Sequence, residues 1–450
     1  MPVILPFWNT CAGLRHRLLL LANWRGRVLT RLCRCWVLFL PLTFCVSTQA
    51  QKPWTWPQIR DKFEATNPTL LADKLSIDES KAQELTAYLR PNPTLALSVD
   101  GTQIAPDRGA WRPFAGTFES PSISYLHERQ HKRELRLESA KKGTLIAESS
   151  HADLERTLLF DLRGAFVSTL QAKAVLQLAR DNLAYYDRVL EIGKNRFDAG
   201  DIAQIDLDRL ELQRVQYESD LQTAEENLET AKIQLLTLLN SRSPIDQFDV
   251  TGPFDFRDQL LPRDEFRKIA LDTRPDLKAA VEAVDRAQTD HKLAVANGST
   301  DPTWSAWYTH NSSNNNPFGI NTLGVSVSVP LRIFDRNQGE KLRTQLDIAR
   351  NERLRETAEA TVLSDVDSSY TTLQSNLILL RPYKAKYLQQ SVRVRDTILF
   401  SYQHGGTSLL DFLNAQSEYR TVQLSFVNLV GAYLSAANQL NLAVGREVVQ

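Results

Sequence analysis

The sequence predicts a mainly α-helical protein with a small β part, built as a duplicated strand-strand-long helix-turn-long helix unit. Three observations lead there. Apolar residues keep a 4,3 spacing over two very long stretches in each half of the chain. Short segments of strict alternation precede those stretches, and the same marker residues recur about 207 positions apart. A 3.5-residue repeat sustained this long specifies a coiled-coil seam, whereas period 2 marks strands.

The first 50 residues differ from the rest. They carry six arginines, no acidic residue and all four cysteines of the chain (Cys11, Cys33, Cys35, Cys45). Arg25, Arg27, Arg31 and Arg34 precede the apolar run Trp36–Val46, and Thr48 and Ala50 supply small residues behind it. A basic flank, an apolar run of about 7 to 15 residues and a small-residue site form a secretory signal peptide, here cut after Ala50. The run is shorter than the roughly 20 apolar residues a membrane-spanning helix needs. The basic region is long enough to place a true start near Val28, and the bulky Phe44 argues against lipidation of Cys45. The whole chain of 450 residues has 53 basic and 53 acidic side chains, but residues 51–450 hold 47 basic and 53 acidic, a net charge of −6, and no cysteine. A nucleic-acid-binding surface is not indicated, and thiolate metal sites and cysteine nucleophiles are excluded.

The elements then follow in order. A short helix is expected over about 57–90, then two strands, of which Leu95, Leu97 and Val99 alternate with Ala96, Ser98 and Asp100. No proline falls between Pro121 and Pro244, so one helix should run from about His127 to Asp198, on the order of 100 Å at 1.5 Å per residue. Its seam reads Leu158, Leu162, Ala165, Thr169, Ala172, Leu176, Ala179, Leu183, Tyr186, Leu190, Gly193 and Phe197. A glycine turn at Ala199-Gly200-Asp201 leads into a second long helix with Leu207, Leu210, Tyr217, Leu221, Ala224, Leu228, Ala231 and Leu235 on its seam. The second half repeats this plan. It has a short helix over 263–297, the alternating Leu323, Val325, Val327 and Val329, a long helix seamed by Leu363, Val366, Tyr370, Leu373, Leu377 and Leu380 that Pro382 should kink or break, the turn His404-Gly405-Gly406, and a last helix seamed by Phe412, Ala415, Tyr419, Val422, Phe426, Tyr433, Ala436 and Leu440.

Four markers register the halves. Arg196-Phe-x-x-Gly200 pairs with Ser401-Tyr-x-x-Gly405 at an offset of 205, Pro93-Thr94 with Pro302-Thr303 and Pro121 with Pro330 at 209, and Asn67-Pro68 with Arg274-Pro275 at 207. The division expected is a signal peptide over 1–50, a first repeat over 51–245, a linker over 246–262 and a second repeat over 263–447. Trp111, Trp304, Trp307, Tyr308 and Phe318 gather in or near the strands. Alternating strands with aromatics at their ends suit an outer-membrane barrel; a soluble sheet with its apolar side on a helix suits them equally. Four strands cannot close a barrel, since about eight is the minimum, so the barrel reading requires several copies.

Catalytic and metal-site readings fail by inventory. After residue 50 the histidines are His127, His131, His151, His291, His310 and His404. Only His127 and His131 share helical spacing, without the H-E-x-x-H pattern or a third ligand, and they read best as solvated residues at a helix start. There is no Walker loop, G-x-S-x-G or G-x-G-x-x-G. No catalytic residue, metal ligand or cofactor is expected.

The duplicated order, the R-F-x-x-G and S-Y-x-x-G turns each followed by an apolar-Asp-apolar triplet, and the run Val329-Pro330-Leu-Arg-Ile-Phe334-Asp335-Arg336-Asn337-Gln338-Gly339 resemble the outer membrane efflux protein (TolC) family, in particular its CzcC-type heavy-metal branch. The resemblance covers about Trp56 to Gly445. It implies a homotrimer with an α-helical tunnel through the periplasm and a shared 12-stranded β-barrel in outer-membrane lipid. The protein would then be the exit duct of a tripartite pump, taking substrate from a periplasmic adaptor protein and an inner-membrane transporter of the resistance-nodulation-division type. Heavy-metal cations are the cargo it points to.

The resemblance also assigns residues. The turns Ala199-Gly200-Asp201 and His404-Gly405-Gly406 would be adaptor-docking tips at the periplasmic entrance. Asp411 and Asn414 would line the pore constriction, where Asn414 replaces a second acidic residue. Asp206, Tyr402 and Thr407 would form an entrance latch. Thr407 stands where an arginine would complete a salt bridge, so the latch here is expected to be hydrogen-bonded only. The alternative reading is a soluble periplasmic coiled-coil scaffold or adaptor without a pore.

Overall fold

The computed structural model describes residues 52–106, 108–114, 116–311 and 320–449. The expected signal peptide and its cleavage site lie outside the described residues, as does Phe318.

Each of the two expected short helices is in fact a pair. Helices α1 (Trp56–Thr66) and α2 (Pro68–Tyr88) are separated at Asn67, and α5 (Arg263–Thr273) and α6 (Pro275–Asn297) at Arg274. Both junction residues are extended, with φ/ψ of −69/116° and −70/119°. The cause is the following proline, whose ring pushes the residue before it out of the α region. Asn67 exploits this by accepting hydrogen bonds from the Thr69 and Leu70 amides at 2.9 and 3.0 Å, an N-cap for α2. Arg274 makes no such cap.

The long helix of the first half, α3, spans Lys132–Asp198 and not His127–Asp198. Gln130 and His131 hold φ of 59° and 55°, a left-handed entry that keeps the helix from starting earlier. His127 therefore precedes the helix and does not pair with His131 across one turn of it. Asn337 enters the equivalent helix α7 (Gln338–Pro382) with φ 62°, so the same device occurs in both halves. After Pro382 the chain makes a π turn, Tyr383–Tyr387, before α8 (Leu388–Gln403). The interruption expected at the proline is present as a widened turn. The remaining long helices are α4 (Gln204–Leu238) and α9 (Leu409–Val444).

The seams predicted by the 4,3 spacing face inward. Leu162, Tyr186, Leu210, Leu235, Val366, Leu373 and Leu440 are all within 0% exposure. Below residue 158 the contacts of α3 change character: Thr144 donates to Glu84, Ser149 to Glu282 and Lys142 to Thr289, with distances of 2.5, 2.8 and 2.7 Å. Here α3 packs on both α2 and α6, and α6 on both α3 and α7. Among the described residues, α2 at one end of the row α2-α3-α6-α7 and the first half of α7 at the other each keep an outer side without a neighbour. Exposed leucines mark both sides, Leu71, Leu75, Leu85 and Leu89 on or just after α2, and Leu342, Leu346 and Leu354 on α7. The segment 246–262, expected as a linker, buries Phe248 and Val250, and Val250 bridges Trp54 in parallel.

Strands β1 (Thr94–Asp100), β2 (Phe118–Leu126), β3 (Thr303–Asn311) and β4 (Asn321–Ser328) form one antiparallel sheet in sequence order. Its register sorts the side chains. Leu95, Ile123, Ala306 and Val325 form one row, and Tyr125, Trp304 and Val327 another on the same face; Ser124, Ser305 and Ser326 lie on the opposite face. The apolar face is bare: Leu95, Leu97, Leu323 and Val325 are 70–79% exposed. Among the described residues the strands pack broadly only on one another, and no helix covers this face. On the polar face the Trp307 ring lies against Gly324, where a Cβ would sit 2.3 Å from it.

The crossing of α3 and α4 near the tip is also set by a glycine. A Cβ on Gly193 would lie 2.5 Å from a methyl of Leu210, itself fully buried. Gly193→Val should therefore destabilise this hairpin by about 1–3 kcal/mol through overpacking. Thermal unfolding of the purified protein checks this, and Leu210→Ala in the same chain should recover part of the loss.

Candidate functional site

The two hairpin tips are built alike. Gly200 and Gly405 have φ of 81° and 75°, a left-handed conformation that glycine reaches without strain. The Asp201 amide donates to the Arg196 carbonyl and the Gly406 amide to the Ser401 carbonyl, both at 2.8 Å. These are the six-residue closures of a Schellman turn, at the sequence offset of 205 seen between the repeats. Nothing lies within 4 Å of where a Cβ would stand on either glycine, so both tips are open. Ala199, Gly200, Asp201, His404, Gly405 and Gly406 are all exposed. His404 rests on Phe400 with ring centroids 4.2 Å apart, and its Nδ1 is 2.8 Å from the Phe400 carbonyl.

Just behind the tips an aromatic cluster joins the two hairpins. It contains Tyr186, Val189 and Leu190 of α3, Leu207, Leu210 and Tyr217 of α4, Tyr402 of α8, and Leu409 and Phe412 of α9. Tyr186 stacks on Tyr217 at 4.6 Å and donates to the Leu210 carbonyl at 3.1 Å. Tyr402 stacks on Phe412 at 5.4 Å, with the rings 16° from parallel.

Asp411 and Asn414 are exposed, one helical turn apart near the start of α9. Asp411 closes a capping box: its amide donates to Ser408 Oγ at 3.2 Å, and its carboxylate accepts from the Ser408 amide and hydroxyl at 3.2 and 2.7 Å. One carboxylate oxygen thus serves the helix start, where negative charge is favourable, while the residue stays in solvent. The S-x-x-D spacing in the sequence was the available signal for this.

The hydrogen-bonded latch expected between Asp206, Tyr402 and Thr407 does not form within the chain. The Tyr402 hydroxyl and Thr407 Oγ1 are both buried and without a partner. Asp206 is half-buried in the first turn of α4 and acts on Tyr402 by charge alone. Burial raises the Tyr402 phenol above its ordinary value, Arg196 opposes the rise, and Asp206 adds to it. What crosses between the tips is Arg196. Its Nη1 donates to the Tyr402 carbonyl at 2.9 Å, and its guanidinium lies over the Tyr402 ring, 4.9 Å from the centroid. The sequence contains Arg196 in the R-F-x-x-G turn, but its partner is 206 residues away. Among the described residues no cluster of three or more His, Cys, Asp or Glu could hold a metal ion, and no helix is long and apolar enough to cross a membrane.

Comparison with known proteins gives this arrangement a context. The family model described as outer membrane efflux protein matches residues 59–241 and again 267–446. The cobalt-zinc-cadmium resistance protein CzcC of Cupriavidus metallidurans is 23% identical over 406 residues, covering 88% of this chain and 91% of that protein. The pyoverdine export outer membrane protein OpmQ of Pseudomonas aeruginosa is 27% identical, over 77% and 72% of the two chains. Among solved structures, CusC superposes with a TM-score of 0.70 at 18% identity, covering 87% of this chain and 92% of that one. VceC from Vibrio cholerae gives 0.70 at 16% identity, over 87% and 96%. Similar in fold to CusC and VceC and matched by one family description in each of its halves, the chain belongs to the outer membrane efflux protein family.

Proposed function

We propose that the protein is the outer-membrane exit duct of a tripartite efflux pump, working as a homotrimer whose chains each lend four strands to a 12-stranded barrel. It is not an enzyme. The observation that carries the reading is the sheet. Its apolar face is bare, and among the described residues its outer strands β1 and β4 each have an unpaired edge. Free edges of this length invite pairing with another copy, and a bare apolar face suits lipid. The helices agree, since α7 of one copy meeting α2 of the next would continue the row α2-α3-α6-α7 around a closed ring. The soluble-scaffold alternative leaves the exposed face of the sheet without a purpose.

In this reading the signal peptide over 1–50 is removed on export, the tips meet the helical hairpins of a periplasmic adaptor, and energy comes from an inner-membrane transporter of the resistance-nodulation-division type. Heavy-metal cations are the proposed cargo, on the strength of the relative named for cobalt, zinc and cadmium resistance. Membrane fractionation with unheated gel electrophoresis tests the assembly: a trimer-sized outer-membrane band supports it, and a soluble periplasmic monomer refutes it.

Three Asp411 carboxylates would stand around one opening, where a narrow low-dielectric mouth focuses their field. Asp411→Asn removes the charge and keeps an acceptor for Ser408. Single-channel recordings should show its cation-to-anion permeability ratio falling several-fold, with trimer stability changed by no more than about 1 kcal/mol, the scale of an N-cap. An unchanged ratio rejects the ring.

A further inference from the structure

We infer that Arg196 is the positioning residue that holds the two tips of each chain together, and that it does so through the face and backbone carbonyl of Tyr402, with no part played by the Tyr402 hydroxyl. The inference rests on the tips being the channel entrance. Three contacts make a single stack: the Arg196 guanidinium over the Tyr402 ring at 4.9 Å, the Arg196 hydrogen bond to the Tyr402 carbonyl at 2.9 Å, and the Tyr402 ring on Phe412 at 5.4 Å. The stack spans α3 of the first hairpin and α8 and α9 of the second, so it ties the repeats near their ends, on the tip side of the aromatic cluster that also joins them. A cation on an aromatic face is worth most when water is kept away, and Tyr402 is only 4% exposed. The hydroxyl of the same residue has no partner, and neither has the neighbouring Thr407 hydroxyl. Asp206, the remaining carboxylate acting on the ring, makes no hydrogen bond to Tyr402.

A latch made by the ring and a latch made by the hydroxyl respond oppositely to two substitutions. Tyr402→Phe keeps the ring and removes the oxygen; Arg196→Ala keeps the oxygen and removes the cation. Planar-bilayer recordings of the full-length trimer should give wild-type conductance for Tyr402→Phe. For Arg196→Ala the open-to-closed ratio should rise roughly 3- to 30-fold, the range a lost contact of this class produces. Arg196→Ala combined with Tyr402→Phe should match Arg196→Ala alone. Unheated gels establish that each variant remains a trimer.

A second readout does not depend on conduction. Residues 51–450 contain no cysteine, so spin labels on Asp198→Cys and Gln403→Cys report the tip-to-tip distance directly. The distribution should broaden in Arg196→Ala and stay narrow in Tyr402→Phe. Broadening in Tyr402→Phe, or none in Arg196→Ala, overturns the inference. If the labels behave as expected but the wild-type trimer never conducts, the clamp stands and the channel reading fails.

Discussion

Val325→Arg is expected to abolish assembly into the outer membrane. Val325 lies in the central row of the sheet with Leu95, Ile123 and Ala306, on the apolar face, and is 77% exposed. An arginine on the lipid face of a barrel costs about 2–4 kcal/mol near the bilayer midplane. Threefold assembly multiplies the penalty to roughly 6–12 kcal/mol, comparable with the whole stability of a typical domain. The trimer band should vanish from the outer-membrane fraction. Ser326→Arg, the next residue and on the opposite face, is the control: a lumen-facing substitution changes selectivity and leaves insertion intact. A soluble scaffold predicts the reverse for Val325→Arg, since a charge on an exposed apolar face improves solubility. Equal insertion of the two variants rejects the lipid-facing assignment.

Arg274→Met should be the most damaging change in the helical part. Arg274 is 5% exposed. It forks onto Asp276 at 2.9 and 2.6 Å, and it reaches Asp365 of α7 at 2.7 Å and the Ala443 carbonyl of α9 at 3.3 Å. One guanidinium thus joins the α5–α6 break to both long elements of the second half. Removing one partner of a buried pair strands the others, at about 3–5 kcal/mol. The lower end applies here because Asp365 is 44% exposed and water screens it.

Methionine preserves volume, so the loss reports charge and hydrogen bonding more than a cavity. A pH signature accompanies it. Burial pushes the Asp276 carboxyl up, but the hydrogen bonds and charge of Arg274 outweigh this and leave it below its ordinary value. A carboxyl depressed in the folded state adds stability above its unfolded value near 4 and loses it as pH falls through the folded value. Thermal unfolding between about pH 2 and 6 should therefore show a shallower acid decline in Arg274→Met than in the parent chain. Parallel declines, or an unfolding temperature within about 1 °C of the parent, where 3 kcal/mol would shift it several degrees, contradict this role.

Legibility from sequence followed distance along the chain. The rods, glycine turns and strand faces obey local periods, so Leu162, Leu373, Gly200 and Val325 could be placed without a structure. The proline breaks at Asn67 and Arg274 were in view as repeat markers, yet each pair of helices reads as one because the apolar pattern runs across the break. The left-handed entry at Gln130 and His131 carries no glycine to announce it. At the tips, the resemblance supplied Asp206, Tyr402 and Thr407 as a hydrogen-bonded set, whereas the chain brings Arg196 to Tyr402 across 206 residues. A side chain that bridges two repeats leaves no pattern in either.

The sheet register has a further consequence, for the order of folding. Strands β1 and β2 pair across 17 intervening residues and β3 and β4 across nine, but the middle pair joins Ile123 to Ala306, more than 180 positions on. The α3–α4 hairpin closes through contacts much nearer in sequence, as Gly193 on Leu210 shows. Local contacts form early and distant ones late, because loop closure must precede the reward. The rods of the first repeat are therefore expected to be in place while its two strands still wait for their partners from the second. During that interval the edge of β2 that will meet β3 is unpaired beside the exposed Leu95, Leu97 and Ile123, the condition in which strand edges aggregate. In the proposed duct the lipid-facing part would thus be completed last, which would couple the timing of its closure to arrival at a surface able to accept it.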